Sequence, residues 1–294
     1  MIPACAGGRR MGAPRVNDFM KLFDLRELLK QYAIKPNRRR GQNFLIDKNI
    51  LHKIVDAAEL KKTDNVLEIG PGPGILTFEL APRAAKVLAI EADKRLFALL
   101  GDRLTAGGVS TVQLVNADAL RIEPAELNPE FSAGNYKIVA NLPYGITGRF
   151  LKKYLDPLIA PKEMTLMVQR EVAERITAKP GEMSLLAVAV QFYAEPKICF
   201  PVSRTCFSPS PNVDSAVIRL TNIGHRFSNV NQTAFWPIVK SGFAAKRKQL
   251  KNNLRTFGVE KVAKALAAFW LKENARAEEL SVEDWVKLTE EIRN

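Results

Sequence analysis

Asn65-Val66-Leu67-Glu68-Ile69-Gly70-Pro71-Gly72-Pro73-Gly74 decides how this chain is to be read. Residues 66–69 read as a strand. A Gly-rich turn follows, and a helix is expected from about Ile75. Glycines at such a turn let the backbone approach a ligand closely at a helix N-terminus. The same alternation continues downstream. Strands are expected at 87–90, 111–115, 137–140 and 164–168, with helices at 93–104, near 149–156 and near 170–177. A helix at 185–193 and late strands at 197–200 and 216–220 complete the series. Strands alternating with helices imply an α/β fold with a mostly parallel sheet covered on both faces.

The turn has the spacing G-x-G-x-G, with Pro71 and Pro73 at the intervening places. A dinucleotide fingerprint would require G-x-G-x-x-G, and Ile75 stands where its third Gly would be. The spacing therefore favours S-adenosylmethionine over NAD. Glu91 ends the second strand, 21 residues after Gly70, where a carboxylate suits a pair of ribose hydroxyls. Asp118, in Asn116-Ala117-Asp118-Ala119-Leu120, follows the third strand, where it can accept from an adenine amine. With Gly70 and Gly72, these residues fall at the C-terminal edge of an open parallel sheet, where such folds bind ligands.

Asn141-Leu142-Pro143-Tyr144 follows the fourth strand. The Asn side-chain oxygen and the next main-chain carbonyl are two acceptors held close together, and an exocyclic NH2 offers two donors to match. Pro143 stiffens the turn and has no N–H of its own. The Tyr144 ring gives a face on which a base can stack.

The 294 residues are 47% hydrophobic and 26% charged, as in a globular protein with room for one or two domains. No run approaches 18 apolar residues, so no membrane helix is expected. Three cysteines (Cys5, Cys199, Cys206) imply reduced thiols and a cytoplasmic protein. His52 and His225 have no partner at ligand spacing, so neither a zinc site nor a Ser-His-Asp base is expected. The net charge of +13 sits at the ends. Residues 1–50 carry 11 Lys/Arg against 4 Asp/Glu, and residues 223–294 carry 13 against 8, whereas the middle is nearly neutral. Such asymmetry fits a polyanion gripped by the ends.

Residues 1–19 read as a disordered basic arm, with a transit-like leader and sequence upstream of a start at Met20 as alternatives. Residues 19–33 and 47–58 have helical spacing, and residues 20–222 form the α/β domain with this N-terminal helical extension. After residue 222 the strands stop. Residues 235–243, 246–254, 259–270 and 282–292 are expected as helices of a small C-terminal domain, 223–294, that holds all three Trp in its core. Ser281 and Asp284 are placed to cap the last helix.

The chain resembles the ribosomal RNA adenine N6-dimethyltransferases of the KsgA type. The resemblance rests on Gly41-Gln42-Asn43-Phe44-Leu45, Glu68 to Gly74, Glu91, Asp118, Asn141 to Tyr144 and Gln169-Arg170-Glu171-Val172. It extends through Phe207-Ser208-Pro209-Ser210-Pro211-Asn212-Val213-Asp214-Ser215, Lys246-Arg247-Lys248 and Arg276-Ala277-Glu278-Glu279-Leu280-Ser281. It covers roughly residues 22–294 and implies a Rossmann-like, seven-stranded methyltransferase sheet using S-adenosylmethionine. The implied reaction is dimethylation of the N6 amines of two adjacent adenines in the 3′-terminal hairpin of small-subunit rRNA, within a pre-30S particle, by a monomer. By carry-over, Asn43, Leu45, Gly70, Gly72, Glu91, Asp118 and Asn141 contact the cofactor or the pocket. Asn141, Leu142, Pro143 and Tyr144 are the catalytic box, and no metal is required. Tyr144 and Phe207 are expected to sandwich the adenine. Arg38, Arg39, Arg40, Arg247, Lys248, Lys251 and Arg255 are expected to grip the RNA backbone, with 247, 251 and 255 on one helix face.

After Tyr144 the family usually has Asn-Ile-Ser or Asn-Ile-Thr, whereas this chain has Gly145-Ile146-Thr147-Gly148. Two alternatives remain open on the same fold: an Erm-like methyltransferase acting on large-subunit rRNA, and a non-catalytic nucleic-acid-binding or assembly factor. An intact acceptor box argues against the second.

Overall fold

The computed structural model describes residues 25–36, 41–224, 226–227, 229–268 and 274–293. The basic arm, Arg38 to Arg40, His225 and Trp270 lie outside the described residues. Helix α1 (Leu25–Gln31) precedes a two-residue strand β1 (Phe44–Leu45) and helix α2 (Lys48–Ala57). Asp47 caps α2, its carboxylate accepting from the Asn49 and Ile50 amides.

The alternating region then begins. It runs β2 (Asn65–Ile69), α3 (Thr77–Leu80), β3 (Lys86–Glu91), α4 (Lys94–Ala106), β4 (Val112–Asn116), α5 (Pro124–Leu127) and β5 (Tyr136–Asn141). It continues with α6 (Thr147–Tyr154), β6 (Glu163–Gln169), α7 (Arg170–Ile176), α8 (Leu185–Tyr193), β7 (Glu195–Val202), β8 (Phe207–Ser208) and β9 (Ser215–Thr221). Seven strands form one mixed sheet in the order β4-β3-β2-β5-β6-β9-β7. The first five are parallel, and β9 runs antiparallel to both β6 and β7. The helix expected from about Ile75 is a single turn, Thr77–Leu80.

The chain runs outward from β2 through β3 to β4, then returns to β5 on the other side of β2. The strand order thus reverses between β2 and β5, and their C-terminal ends open a crevice there. One apolar core lies on each face of the sheet. Leu67, Ile138, Phe150 and Tyr154 belong to one, and Val66, Leu80, Val139 and Met167 to the other. Adjacent residues of β2 and β5 therefore feed opposite cores, as a doubly covered strand requires.

The tail is helical: α9 (Gln232–Gly242), α10 (Leu250–Asn253), α11 (Val259–Ala268) and α12 (Val282–Arg293). Its core takes in Val188 and Phe192 of α8, so these helices pack on the sheet domain through that element. Trp285 is fully buried there, and Trp236 packs against Phe192 at 5.2 Å. Ser281 and Asp284 exchange hydrogen bonds at the start of α12, as expected.

One helix expectation is corrected. Residues 246–254 do not form a continuous helix: 244–248 are turn, and only α10 is helical. The chain must reverse after Gly242, whose Cα lies against the Trp285 ring, so that Leu250 and Leu254 reach the same core. The Asn253 amide fastens the reversal by donating to the Gly242 and Ala245 carbonyls at 2.6 and 3.1 Å. Arg247, Lys251 and Arg255 therefore do not share one helix face.

Candidate active site

The crevice is a cavity of 640 Å³ lined from the C-terminal ends of β2, β3, β4 and β5 and closed by Gly41 to Leu45. It gathers Asn43, Leu45, Gly70, Gly72, Glu91, Asp118, Asn141, Leu142, Pro143 and Tyr144.

Gly70 and Gly72 have φ of +66° and +58°, backbone that a side chain strains. A Cβ at Gly72 would also stand 3.1 Å from the Phe44 ring. The bare turn between β2 and α3 is thus a cradle that any side chain would fill. Glu91 is buried, and its two oxygens accept from the Gly72 amide at 3.0 Å and the Asp93 amide at 2.8 Å. Those bonds hold the carboxylate still, and each oxygen keeps a second lone pair for a ligand hydroxyl. Burial pushes its carboxyl above the usual carboxylate range. Asp118 Oδ1 accepts from the Leu120 amide at 2.9 Å, and Oδ2 stands 3.5 Å from the Arg121 guanidinium.

Asn141 Nδ2 donates to the main-chain carbonyl of Asn43 at 3.3 Å. A carbonyl only accepts, so this bond commits the nitrogen and leaves Oδ1 as the atom free to accept. The Leu142 side chain is buried, and its amide donates to Met167 O at 3.2 Å, which ties the box to β6. Pro143 rests beside Gly70. Tyr144 is half-buried, its hydroxyl 2.7 Å from Ser215 Oγ at the start of β9. That bond fixes the ring from across the sheet, and burial pushes the phenol up.

Phe207 is placed otherwise. It is 4% exposed, pairs with Leu45 across the β1–β8 ribbon, and packs with Val139, Met167 and Val217 beneath the cavity. Its ring is not on the cavity wall, so the expected sandwich of Tyr144 and Phe207 is not formed in this conformation. Arg247, Lys248 and Arg255 are exposed and Lys251 half-buried; none lines the cavity.

Two site residues had no role in the sequence reading. Glu68 lines the cavity from the end of β2; it is 1% exposed, and its Oε2 has no hydrogen-bond partner. Burial pushes its carboxyl up to about 8, and the Glu91 charge adds to the rise. A carboxyl inside a strand buried on both faces is itself a signal, since burial without a partner is costly. Ser215 had none, being 71 residues from the ring it holds.

Gly145 and Gly148 do not distort the turn. Neither has positive φ, and Ile146 and Thr147 make ordinary turn hydrogen bonds to Pro143 O and Tyr144 O. Among the described residues no cluster of three or more His, Cys, Asp or Glu is placed to hold a metal, and no helix is long and apolar enough to cross a membrane.

The donor set fits S-adenosylmethionine: a bare glycine cradle, a held carboxylate for ribose hydroxyls, a second carboxylate for an adenine amine, and an orphaned buried oxygen at Glu68.

Comparison with known proteins agrees with this geometry. Residues 33–294 match the family model for ribosomal RNA adenine dimethylase. The ribosomal RNA small subunit methyltransferase A of Alkaliphilus oremlandii is 40% identical over 268 residues, covering 88% of this chain and 93% of that one. Its namesake from Streptococcus equi subsp. zooepidemicus is 42% identical, covering 90% and 95%. Among solved structures, the 23S rRNA methyltransferase ErmE superposes with a TM-score of 0.70 at 31% identity, over 86% of this chain and all of that one. A dimethyladenosine transferase from Plasmodium falciparum gives 0.70 at 26% identity, over 83% and 95%. With a matched region that spans both the cavity and the helical tail, this chain belongs to the ribosomal RNA adenine dimethylase family.

Proposed function

We propose that this enzyme uses S-adenosylmethionine to dimethylate the N6 amines of two adjacent adenines in the 3′-terminal hairpin of small-subunit rRNA. The observation that carries the chemistry is Asn141: the residue lines the cavity and its amide nitrogen is bonded to Asn43 O, so its oxygen is the atom left to accept. An adenine N6 lone pair is delocalised into the ring and is a weak nucleophile. Two acceptors, Asn141 Oδ1 and the Leu142 carbonyl, bind the amine best once it becomes pyramidal, which favours the transition state over the ground state. Tyr144, fixed by Ser215, stacks on the base. Asn43, Leu45, Gly70, Gly72, Glu91 and Asp118 hold the cofactor, which when bound supplies a methyl group already activated on sulfonium. Positioning then does most of the work.

The small-subunit reading is supported by relatives at 40–42% identity, against 31% for the large-subunit enzyme ErmE. The substrate particle in this reading is a pre-30S assembly, bound by a monomer through Arg38, Arg39, Arg40, Arg247, Lys248, Lys251 and Arg255. Phosphate contacts of that kind give binding that weakens steeply with salt. Offering the protein unmodified small and large subunits together in one reaction tests the choice. Methyl transfer to the small subunit alone is expected; transfer to the large subunit alone would overturn it. Light scattering of the protein bound to the particle tests the monomer.

A further inference from the structure

Gly145 and Arg149 line the cavity, Gly148 lies between them at the start of α6, and the fold requires none of them. Neither glycine has positive φ, and a Cβ built on either meets nothing within 4 Å. Both are exposed, so what they contribute is bare backbone facing open space. Arg149 lines the cavity beside Tyr144 and Ile146, yet it is exposed and makes no ion pair or hydrogen bond among the described residues.

Two neighbouring cations are engaged. Arg121 stands 3.5 Å from Asp118. Lys153 donates to the Ala119 and Ile122 carbonyls at 3.1 and 2.6 Å, which fastens α6 to the loop that carries Asp118. Residues four apart share a helix face, so the same attachment aims Arg149, one turn earlier, along the cavity side of α6. A guanidinium held there without a counter-ion, next to a bare backbone surface, matches a solvated, doubly accepting anion.

We propose that Arg149, with the open surface of Gly145 and Gly148, seats an RNA backbone phosphate adjacent to the target adenine and so positions the base over Tyr144. The proposal rests on the function argued above and names a substrate contact within it. A nucleic-acid phosphate suits the site better than the cofactor's own carboxylate. Arg149 is exposed and follows the Tyr144 turn at the start of α6, whereas the cradle for the cofactor is the turn at Gly70 and Gly72, of which Gly72 is buried.

The test uses the full chain and a fluorescent RNA stem-loop with the sequence of the small-subunit 3′-terminal hairpin. Binding is titrated at several salt concentrations for the native protein, Arg149→Gln and Arg149→Lys, with the cofactor Kd measured in parallel. Arg149→Gln is expected to weaken RNA binding about fivefold to tenfold and to lower the slope of log K against log salt by about 0.7 to 0.9, the share of one phosphate. With unmodified small subunits as substrate, KM rises while kcat at saturating subunits and the cofactor Kd stay within about twofold. Arg149→Lys restores the salt slope.

Gly148→Gln, for which there is room, is expected to keep the melting temperature and to raise KM for unmodified small subunits. An unchanged slope and affinity in Arg149→Gln would overturn the proposal. So would a weakened cofactor Kd with RNA binding intact. If the native protein binds the hairpin but transfers no methyl group to unmodified small subunits, the functional reading fails, and the salt slope still decides the role of Arg149.

Discussion

The amide of Asn141 and the main-chain carbonyl of Asn43 meet at 3.3 Å across 98 residues of sequence. The bond joins the end of β5 to the segment that closes the cavity, and it leaves Oδ1 of Asn141 as the atom free to accept. Asn141→Ala removes the acceptor and is expected to lower kcat/KM by about 10²-fold or more, the scale seen when one preorganised polar contact to a transition state is deleted. Asn141→Asp keeps an acceptor but loses the donor to Asn43, so it is expected to fail as badly. Single-turnover methylation with native-like cofactor binding checks both; near-native rates in either would remove Asn141 from the chemistry.

Tyr144 combines a ring that stacks on the base in the proposed function with a hydroxyl tether to Ser215. Tyr144→Phe and Ser215→Ala each cut the tether and keep the ring, so each should cost less than about tenfold in kcat/KM. Tyr144→Ala loses the stack, worth about 1–3 kcal/mol, and should cost roughly ten- to a hundredfold. The double variant Tyr144→Phe with Ser215→Ala should be no worse than either single change, because both remove one bond.

Glu68 gives a pH signature. Its carboxyl is raised to about 8 in the folded protein by burial, from 4.5. The folded state therefore holds a proton that the unfolded state releases. The stabilisation from that proton is complete below about pH 4.5 and is lost as pH rises through about 8. Urea unfolding of the cofactor-free protein should show stability falling across this window, and Glu68→Gln should flatten the fall. Glu91, raised in the same sense, leaves a smaller residual slope in that variant.

The glycines separate by what surrounds them. A Cβ at Gly74 would stand 2.4 Å from Leu100 Cδ1 at a φ of +86°, so Gly74→Ala should cost about 1–3 kcal/mol or more. Gly148 lies in the first turn of α6 with open space around it, so Gly148→Ala should be neutral or stabilise by up to about 1 kcal/mol. Thermal unfolding of the two variants checks the contrast.

The sheet was legible because its strands are short apolar runs separated by turn residues, and a central strand such as β2 can hardly be anything else. The lining of the cavity was legible for the same reason: Gly70, Glu91, Asp118 and Asn141 each sit at or just beyond a strand end, so sequence position alone lines them up. What escaped depends on distant contacts. The reversal at 244–248 obeys the packing of Gly242 on Trp285, about which helical periodicity carries no information. Phe207 reads equally well as a stacking ring or as core until β8 is seen paired with β1, which turns it beneath the cavity. Ser215 and Arg149 could not be found by spacing, since one acts across the sheet and the other matters through the partner it lacks.

The most direct test is to map the product. The protein is incubated with isotopically labelled S-adenosylmethionine and small subunits that lack the modification, and the rRNA is digested and analysed by mass spectrometry. The account predicts N6,N6-dimethyladenosine at two adjacent adenines of the 3′-terminal hairpin, and its loss with Asn141→Ala. Label on a ring nitrogen or on another base, or hairpin dimethylation that survives Asn141→Ala at the native rate, would contradict it.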